Sequence, residues 1–330
     1  MKIHWYLPLK LDREQDLSSS ALASIRLRAY PSIIGLKAVG HAVSFGDSCD
    51  YHANVGAAII GKLGAPDEVR HREQRWSKEI SQLKVNGAKI IFDYTDHHLG
   101  INSNMSEFYR NNIRLADLII TPSPKMSELI SEYSACQVVQ IPDGIEVKSI
   151  SPRINYNEIP HGLWFGAKSN LPYLFSFLEK LPARAEIKLT LLTDQKGIDI
   201  TRSTAIKSAG KVSIKLVLWS LENMMTEAMK CDFCVIPSSS IDLRKAGAGS
   251  NRLMTAFSLG LPVVASKISA YQPFSDYFFD IDSPDLADFF ANPGRWHPIV
   301  SEAQRKLVPD YYGENIGIKW ASVFDSMFAI

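Results

Sequence analysis

The sequence predicts an α/β protein built from two doubly wound parallel-sheet domains. Short apolar runs alternate with longer amphipathic stretches along both halves of the chain, as in parallel strands joined by crossover helices. The alternation stops over residues 142–160, which contain Pro142, Pro152 and Pro160, and then starts again. The 330 residues, of which 46% are hydrophobic, suffice for two cores of roughly 150 residues each.

The first half contains apolar runs of strand length that are rich in β-branched and aromatic residues. They predict strands near 2–7, 42–46, 56–61, 88–93, 117–121 and 137–141. Apolar residues at helical spacing predict helices near 19–39, 67–86, 105–115 and 124–134. Gly40 is expected to end the first of these helices. Residues 1–150 are therefore predicted to form an N-terminal Rossmann-like domain.

The same alternation restarts after the proline-containing linker. It predicts strands near 161–166, 187–193, 212–218, 232–236 and 262–265, with helices between them. Residues 151–310 are therefore predicted to form a second Rossmann-like domain. The chain from about residue 299 onward is mostly of helical pattern, and residues 311–330 are predicted to form a separate C-terminal helix.

Composition argues against two classes of partner. Lys and Arg number 36 against 35 Asp and Glu, without a basic run, so nucleic acid is not expected as a partner. The apolar runs are shorter than the ~20 residues of a membrane span, and residues 1–7 are typical of a strand, not of a signal peptide. We expect a cytoplasmic protein. Peripheral contact with the inner face of a membrane is left open, because it depends on surface patches.

Metal chemistry is not expected. Cys231 and Cys234 have a suggestive spacing, but no second pair or histidine cluster completes a zinc site, so core packing is the favoured role. Asp280 and Asp282 form an Asp-x-Asp, but they come just before Ser283-Pro284, where caps of a following helix are expected. We predict neither a metal nor a cofactor.

Residues 230–271 form the most informative stretch. A predicted strand is followed by a polar loop and by a helix over Ser250–Leu259. Glycine, hydroxyl and cationic residues lie at the start of that helix: Lys245, Gly247, Gly249, Ser250, Asn251 and Arg252. Free N–H groups, the helix dipole and close backbone approach at glycine favour an anion there, such as a nucleotide diphosphate. The alternative is an ordinary αβ unit with Ser250 as N-cap and Gly260 after the helix.

This stretch resembles the donor-site segment of the GT-B glycosyltransferases, especially the group-1 kind. The matching residues are Asp232, Pro237, Ser238, Lys245, Asn251, Arg252, Leu253, Ala256, Gly260, Pro262, Val263, Val264 and Ala265. Further segments resemble the family in the same order: 116–123 (ADLIITPS), 141–145 (IPDGI) and 164–166 (WFG). No single motif is decisive, but the ordered set spans nearly the whole chain.

The resemblance implies two Rossmann-like domains facing across a cleft, with acceptor binding on the first and nucleotide-sugar binding on the second. It implies transfer of a sugar from a nucleotide-sugar donor to a glycan or lipid-linked acceptor, in polysaccharide or glycoconjugate biosynthesis. It also implies that the last helix packs back on the first domain. The donor-binding residues implied are Gly166, Lys168, Trp219, Lys245, Gly249, Ser250, Asn251 and Arg252.

One departure from the family pattern limits these implications. Many group-1 members carry two glutamates eight positions apart around this helix start, and here those positions are Gly247 and Thr255. The stereochemistry of transfer is therefore not implied. Two alternatives stay open: an epimerase acting on sugar nucleotides, and a non-catalytic relative that binds a nucleotide sugar.

Acceptor chemistry is expected on the first domain. Residues 93–98 (DYTDHH) follow a predicted strand, and ligands bind at that end of doubly wound sheets. An acceptor hydroxyl must lose a proton, which Asp96 or His97 could take, and His98 would contact the acceptor. The alternative is a polar loop whose aspartate caps a turn.

The first predicted helix supplies two further candidates. In the family this region touches the acceptor, which makes Arg26 and Arg28 candidate acceptor-binding residues. The alternative is that both are exposed helix arginines without such a role.

Overall fold

The computed structural model describes residues 1–11, 13–49, 54–64, 69–153, 155, 157–206, 208, 210–242, 245 and 247–328. Contacts divide the chain into two compact units. The first comprises Met1–Ile145, Ile241–Asn251 and Asp310–Ile330, and the second comprises Glu146–Ser240 and Arg252–Pro309. Each unit is an α/β layer structure with a parallel sheet, so the predicted α/β fold class is confirmed.

The sheet of the first unit has the strand order β2-β1-β3-β4-β5-β6. Its strands are β1 Lys2–Tyr6, β2 Ala42–Gly46, β3 Ala57–Ile60, β4 Lys89–Asp93, β5 Leu118–Thr121 and β6 Val138–Gln140. In the parallel register, Ile3 lies beside Val43 on one side and Ala57 on the other. Because β1 has a neighbour on both sides, the sheet grows outward in two directions, as in doubly wound folds. Every predicted strand of this half is confirmed to within one residue at each end.

The helices of this half are α1 Glu14–Ser18, α2 Tyr30–Ala38, α3 Val69–Val85, α4 Asn104–Asn112 and α5 Pro124–Ser131. The helix predicted near residues 19–39 is confirmed over residues 23–38, but it begins later than predicted and contains a π-helical turn, Ile25–Ala29, before α2. Pro31 has no N–H, so the Leu27 carbonyl lacks its helical donor. That carbonyl accepts a hydrogen bond from the Gly144 N–H at 2.8 Å instead. The proline thus lets a distant loop dock on this turn.

The sheet of the second unit has the order β12-β11-β10-β7-β8-β9. Its strands are β7 His161–Phe165, β8 Glu186–Thr193, β9 Lys211–Leu218, β10 Phe233–Ile236, β11 Val263–Ala265 and β12 Phe279–Asp280. The helices are α6 Leu171–Glu179, α7 Gln195–Ser203, α8 Leu221–Ala228, α9 Asn251–Ser258, α10 Leu286–Ala291 and α11 His297–Lys306. The predicted strands are again confirmed to within one residue, and β12 is an additional short strand.

The C-terminal helix α12, Gly313–Phe328, packs against α2 in the first unit. The rings of Trp5 and Trp320 lie 4.7 Å apart in this layer. Gly35 and Gly317 bring the two helix backbones into contact, since a Cβ on Gly317 would lie 3.0 Å from the Gly35 Cα. Small residues at this crossing therefore set how closely the helices approach.

Apolar side chains cover both faces of the first sheet. Along β3, Ala58 and Ile60 join one core cluster, whereas Ala57 and Ile59 join the other. This alternation follows from the two-residue period of a strand. In the second unit, Trp164 and other large apolar residues form a core on the sheet. Among the residues that the structure describes, no helix combines the length and hydropathy needed to cross a membrane.

Candidate functional site

Charged side chains gather at the carboxyl edge of the sheet in the first unit. Asp93 is the last residue of β4, Lys62 follows β3, and Asp143 follows β6. Because all these strands are parallel, their carboxyl ends lie at one edge, where doubly wound folds place their ligands. Arg28, from the π-helical turn after β1, belongs to the same group through its contacts with both aspartates.

Arg28 lies inside the protein and not on its surface. Its side chain is 1% exposed, its Nε donates to Asp93 at 2.5 Å, and its Nη1 donates to the Ile141 carbonyl at 2.8 Å and to Asp143 at 3.1 Å. Burial raises the pKa of Asp93 to about 6, although Arg28 acts in the opposite direction. Arg26 is also buried and donates to the Ser20 carbonyl. The alternative of exposed helix arginines is wrong, while an acceptor contact stays a prediction.

Asp96, the predicted base, has a cationic environment. Its carboxylate forms an ion pair with Lys62 and lies 3.9 Å from His98 Nε2. Burial acts to raise the pKa of Asp96, but Lys62, with smaller effects from His98 and Lys245, outweighs it and leaves the pKa lowered. Asp96 is therefore a carboxylate at neutral pH, able to accept a hydrogen bond or a proton.

His98 is the histidine whose ring approaches the Asp96 carboxylate. The ring stacks on Tyr109 with centroids 5.2 Å apart and is 6% exposed. Among the described residues, neither of its ring nitrogens has a hydrogen-bond partner. Burial lowers the pKa of His98, so the ring is neutral at pH 7. A neutral imidazole has one donor and one acceptor, and neither is satisfied by the described residues.

His97, predicted together with Asp96 as a catalytic residue, is engaged in packing. Its Nδ1 lies 3.4 Å from the Tyr94 hydroxyl, its ring meets Tyr133 edge-on, and Gly100 lies against its Nε2 side. The Tyr94 hydroxyl also accepts a hydrogen bond from the Leu99 N–H at 2.9 Å. The loop after β4 is thus shaped around Tyr94, which turns His97 inward and leaves His98 beside Asp96.

Part of the predicted phosphate loop, residues 241–251, clusters with the first unit. Ser123 Oγ donates to the Gly247 carbonyl at 2.9 Å, and the hydroxyls of Ser250 and Tyr311 lie 2.8 Å apart. Gly249 lies so close to Asp143 that a Cβ on it would be 2.9 Å from the carboxylate. Lys245, Gly249, Ser250 and Asn251 thus belong to this unit, whereas the sequence placed them with residues 151–310.

Arg252 belongs to the second unit. Its Nη2 donates to the Phe165 carbonyl at 2.7 Å, and its guanidinium lies 5.5 Å from the Trp164 ring and 5.6 Å from the Phe165 ring. Its Nε is buried without a hydrogen-bond partner, and no carboxylate among the described residues pairs with it. Burial lowers the pKa of Arg252, although the group stays charged at neutral pH.

The other predicted donor residues of the second unit lie at the carboxyl edge of its sheet. Gly166 directly follows β7, and a Cβ on it would lie 3.3 Å from the Trp164 ring. The N–H of Lys168 donates to Asp194 at 3.2 Å, and the N–H of Trp219 donates to the Thr193 carbonyl at 2.8 Å. The ends of β7, β8 and β9 thus bring these residues to one edge.

Sequence reasoning missed Lys62 as a partner of the predicted base. It is one lysine after a short buried strand, far in sequence from Asp96, and only β3–β4 pairing makes the two neighbours. No local signal marks such a residue. Among the described residues no group of three or more His, Cys, Asp or Glu could hold a metal ion. Asp280, of the Asp-x-Asp motif, pairs with Lys267 at 3.0 Å.

Comparison with known proteins identifies the fold. No family model and no curated protein matches the sequence. Several solved structures do match. An alpha-glucosyltransferase (AGT) in complex with UDP matches with 15% identity over 99% of this chain and 98% of that chain and with a TM-score of 0.60. AviGT4, a glycosyltransferase involved in avilamycin A biosynthesis, matches with 12% identity over 99% and 98% and a TM-score of 0.54.

A third structure, TarM, matches with 15% identity over 82% of this chain and 54% of that chain and a TM-score of 0.56. A DNA-modifying beta-glucosyltransferase matches with 10% identity over 100% of both chains and a TM-score of 0.53. Likeness at these identities shows the fold. The chain has the fold of the GT-B glycosyltransferases, as its sequence predicted.

Proposed function

We propose that this protein is a glycosyltransferase that takes a sugar from a nucleotide-sugar donor without a metal ion. Donor binding is assigned to Gly166, Lys168, Trp219 and Arg252 of the second unit. Acceptor binding is assigned to the first unit, at the edge that carries Asp96 and His98. The fold supports this assignment, and the environment of Arg252 carries it.

The Arg252 guanidinium lies beside apolar aromatic side chains. Two aromatic rings and one carbonyl oxygen surround its guanidinium, and its Nε has no partner among the described residues. Withdrawing a charge from water is costly unless an anion compensates it. The diphosphate of a nucleotide sugar would supply that anion and the missing acceptor for Nε. An arginine with a merely structural role would be expected to face a carboxylate.

Uridine diphosphate is the first donor nucleotide to test. The similar solved structures include an alpha-glucosyltransferase in complex with UDP and an alpha-glucosyltransferase in complex with UDP-glucose. Trp219, at the end of β9, is assigned to the nucleobase because an aromatic ring there could stack on it. Arg252 and Lys168 would stabilise the negative charge that develops on the leaving diphosphate.

The acceptor hydroxyl is assigned to Asp96, and His98 is assigned as a further hydrogen-bond partner of that hydroxyl. The acceptor oxygen forms a bond to the anomeric carbon while its proton passes to the Asp96 carboxylate. The bond from the anomeric carbon to the diphosphate oxygen breaks, and the diphosphate leaves with the electron pair. Lys62 favours the ionised form of Asp96, and only this form of the carboxylate can accept that proton.

A glycan or a lipid-linked saccharide is the proposed acceptor. The net charge of +1, without a basic run, supports an acceptor other than nucleic acid. DNA nevertheless belongs in the acceptor panel, because one similar solved structure is an alpha-glucosyltransferase in complex with UDP and a 13-mer DNA containing a HMU base.

The first experiment is a thermal-shift screen against UDP, GDP, CDP, ADP, dTDP and CMP, with and without EDTA. We expect one nucleoside diphosphate to raise the melting temperature, with no effect of EDTA. Arg252→Met should abolish that shift while leaving the unliganded protein at least as stable, because the variant removes an uncompensated cation and keeps the apolar stem. Arg202→Met, an exposed arginine on α7, is the matched control and should keep the shift.

The second experiment measures turnover of the matching nucleotide sugar by mass spectrometry, with and without the acceptor panel. Sugar appearing on an acceptor supports transfer, whereas an isomerised donor without any acceptor would favour an epimerase. Nucleotide binding without turnover would favour a non-catalytic role. A nucleotide shift that Arg252→Met leaves unchanged would contradict the assignment of the donor site.

A further inference from the structure

A cavity of about 410 Å³ lies in the second unit, away from the residues assigned to the donor. Pro160 and Asp232, which line it, directly precede β7 and β10, so it lies at the amino-terminal edge of the sheet. Gly166 follows the opposite end of β7. A strand rises by ~3.3 Å per residue, so the five residues of β7 put roughly 16 Å between the two ends. The cavity is therefore distinct from the proposed donor site.

The carboxylate in this cavity is already engaged by its own walls. Asp232 accepts hydrogen bonds from the Asn157 side-chain amide at 2.9 and 3.1 Å and from the His161 N–H at 2.8 Å. It is 8% exposed. Asp232 therefore holds the segment before β7 against the start of β10, and most of its acceptor capacity is used.

The cations of the cavity are not engaged in this way. Arg153 and Arg295 are exposed, and neither pairs with a carboxylate among the described residues. The His297 ring adds no full charge at pH 7, because burial lowers its pKa. Two guanidinium groups against one satisfied carboxylate leave the cavity with a positive field. Guanidinium groups suit carboxylate and phosphate ligands, which they bind in a bidentate manner.

The remaining lining combines hydrogen-bonding amides with an apolar surface. The side-chain N–H groups of Asn155 and Asn157 donate to the cavity wall, to the Cys231 carbonyl at 2.8 Å and to Asp232 respectively. Their amide oxygens are thus what these residues can offer a ligand, as acceptors for hydroxyl groups. Phe290 and Pro293 supply apolar contact. A few polar groups over an apolar floor, in a cavity of this size, are typical of small-molecule sites.

We propose that this cavity binds an anionic saccharide of one or two rings, whose carboxylate or phosphate contacts Arg153 and Arg295 and whose hydroxyls contact Asn155 and Asn157. The site is independent of donor binding and would hold a saccharide that is not being transferred. Two sources share this chemistry: an acidic residue of a glycan and a free sugar phosphate.

Isothermal titration of the full chain with glucuronate, with glucose 1-phosphate and with neutral glucose tests the proposal. We expect at least one of the two anions to bind, and glucose to bind about tenfold more weakly or not at all, since charge-assisted hydrogen bonds contribute most of the affinity. Tighter binding of glucuronate would indicate an acidic glycan residue, and tighter binding of glucose 1-phosphate a sugar phosphate.

Three variants locate the binding. The double variant Arg153→Gln, Arg295→Gln should weaken anion binding by about tenfold or more. Gly294→Leu should fill the cavity and block binding. The fold should tolerate this change, because a Cβ on Gly294 would meet only ordinary contacts, 3.6 Å from Asn292 Oδ1 and 3.7 Å from the His297 ring. Arg305→Gln, an exposed arginine of α11 outside the cavity, is the matched control and should bind as the unmodified protein does.

Other outcomes would overturn the proposal. They are the absence of binding of both anions at millimolar concentration, equal affinity for glucose, or unchanged affinity in both the double variant and Gly294→Leu. Titration of Arg252→Met separates this site from the donor site. Retained binding there supports an independent cavity even if the proposed transferase activity proves wrong, whereas loss of binding would assign the saccharide to the donor site.

Discussion

Arg28 Nε donates a hydrogen bond of 2.5 Å to Asp93 Oδ1, and both side chains are buried in the first unit. The same guanidinium holds the Ile141 carbonyl after β6. Arg28, from the π-helical turn before α2, thus links the end of β4 to the residue that follows β6. The loops that carry Asp96 and Asp143 begin directly after these two points. This pair fixes the framework of the proposed acceptor site without needing any contact with an acceptor.

Replacing Arg28 should therefore destabilise the first unit. Arg28→Met leaves the Asp93 carboxylate buried without its cation, which costs about 3–5 kcal/mol of unfolding free energy. Urea unfolding followed by tryptophan fluorescence measures the loss. Adding Asp93→Leu should restore part of the stability, because the second change removes the stranded charge. A single variant as stable as the unmodified protein would contradict this role for the pair.

The contact between α2 and α12 should not tolerate a methyl group. Gly317→Ala would place a Cβ 2.8 Å from the Pro31 carbonyl and 3.0 Å from the Gly35 Cα, so the helices must separate, at a cost of about 1–3 kcal/mol. Gly313→Ala, on the same helix, meets only the Pro31 Cβ at 3.4 Å and is the matched control. The melting temperatures of the two variants test this prediction. Equal values would show that the two helices can separate at little cost.

The proposed role of Asp96 predicts a shift in the pH profile. Lys62 lowers the pKa of Asp96 and so favours the ionised form that accepts a proton. Without Lys62 the carboxylate protonates at higher pH, and the acid limb of kcat/KM for Lys62→Gln should move to higher pH. Lys78→Gln, an exposed lysine on α3, should leave the profile in place. A uniform loss of rate without a shift would indicate that Lys62 only shapes the loop.

His4 should make the first unit sensitive to acid. Burial removes the ring from water and so lowers its pKa from 6.5 to about 4. One ring nitrogen bonds Ser44, and the other has no partner among the described residues. The unfolded chain binds the proton first, so stability is lost as the pH falls below about 6.5. At pH 5 this amounts to about 2 kcal/mol for this one group.

Substituting His4 tests this directly. His4→Asn preserves an acceptor near Ser44 but cannot take up a proton, so its melting temperature should fall less between pH 7.5 and pH 5 than that of the unmodified protein. Other histidines with lowered pKa values, such as the half-buried His161, would contribute the remaining loss in both proteins. An identical fall in the two proteins would show that His4 does not contribute.

Much of the fold could be predicted because the residues of each strand or helix show its hydrophobic pattern without reference to the rest of the chain. The runs that became β1 to β11 were each visible in the sequence, and those buried on both faces, such as β3, β5 and β10, are apolar almost throughout. The π-helical turn before α2 was not visible, because its contact with the loop after β6 depends on Pro31 leaving the Leu27 carbonyl free for Gly144, which is distant in sequence. Local periodicity cannot show such a partner.

The sequence by itself determined the α/β class, the repetition of a doubly wound unit and the family-like order of short motifs, because each depends on hydrophobic period or on neighbouring residues. Only the tertiary structure decided that Lys62 and His98 surround Asp96, that Arg28 is buried, and that residues 241–251 cluster with the first unit. Except for the approach of His98 to Asp96, two positions away, these contacts join residues distant in sequence. Their energies depend on burial and on distances that the chain acquires only when it folds.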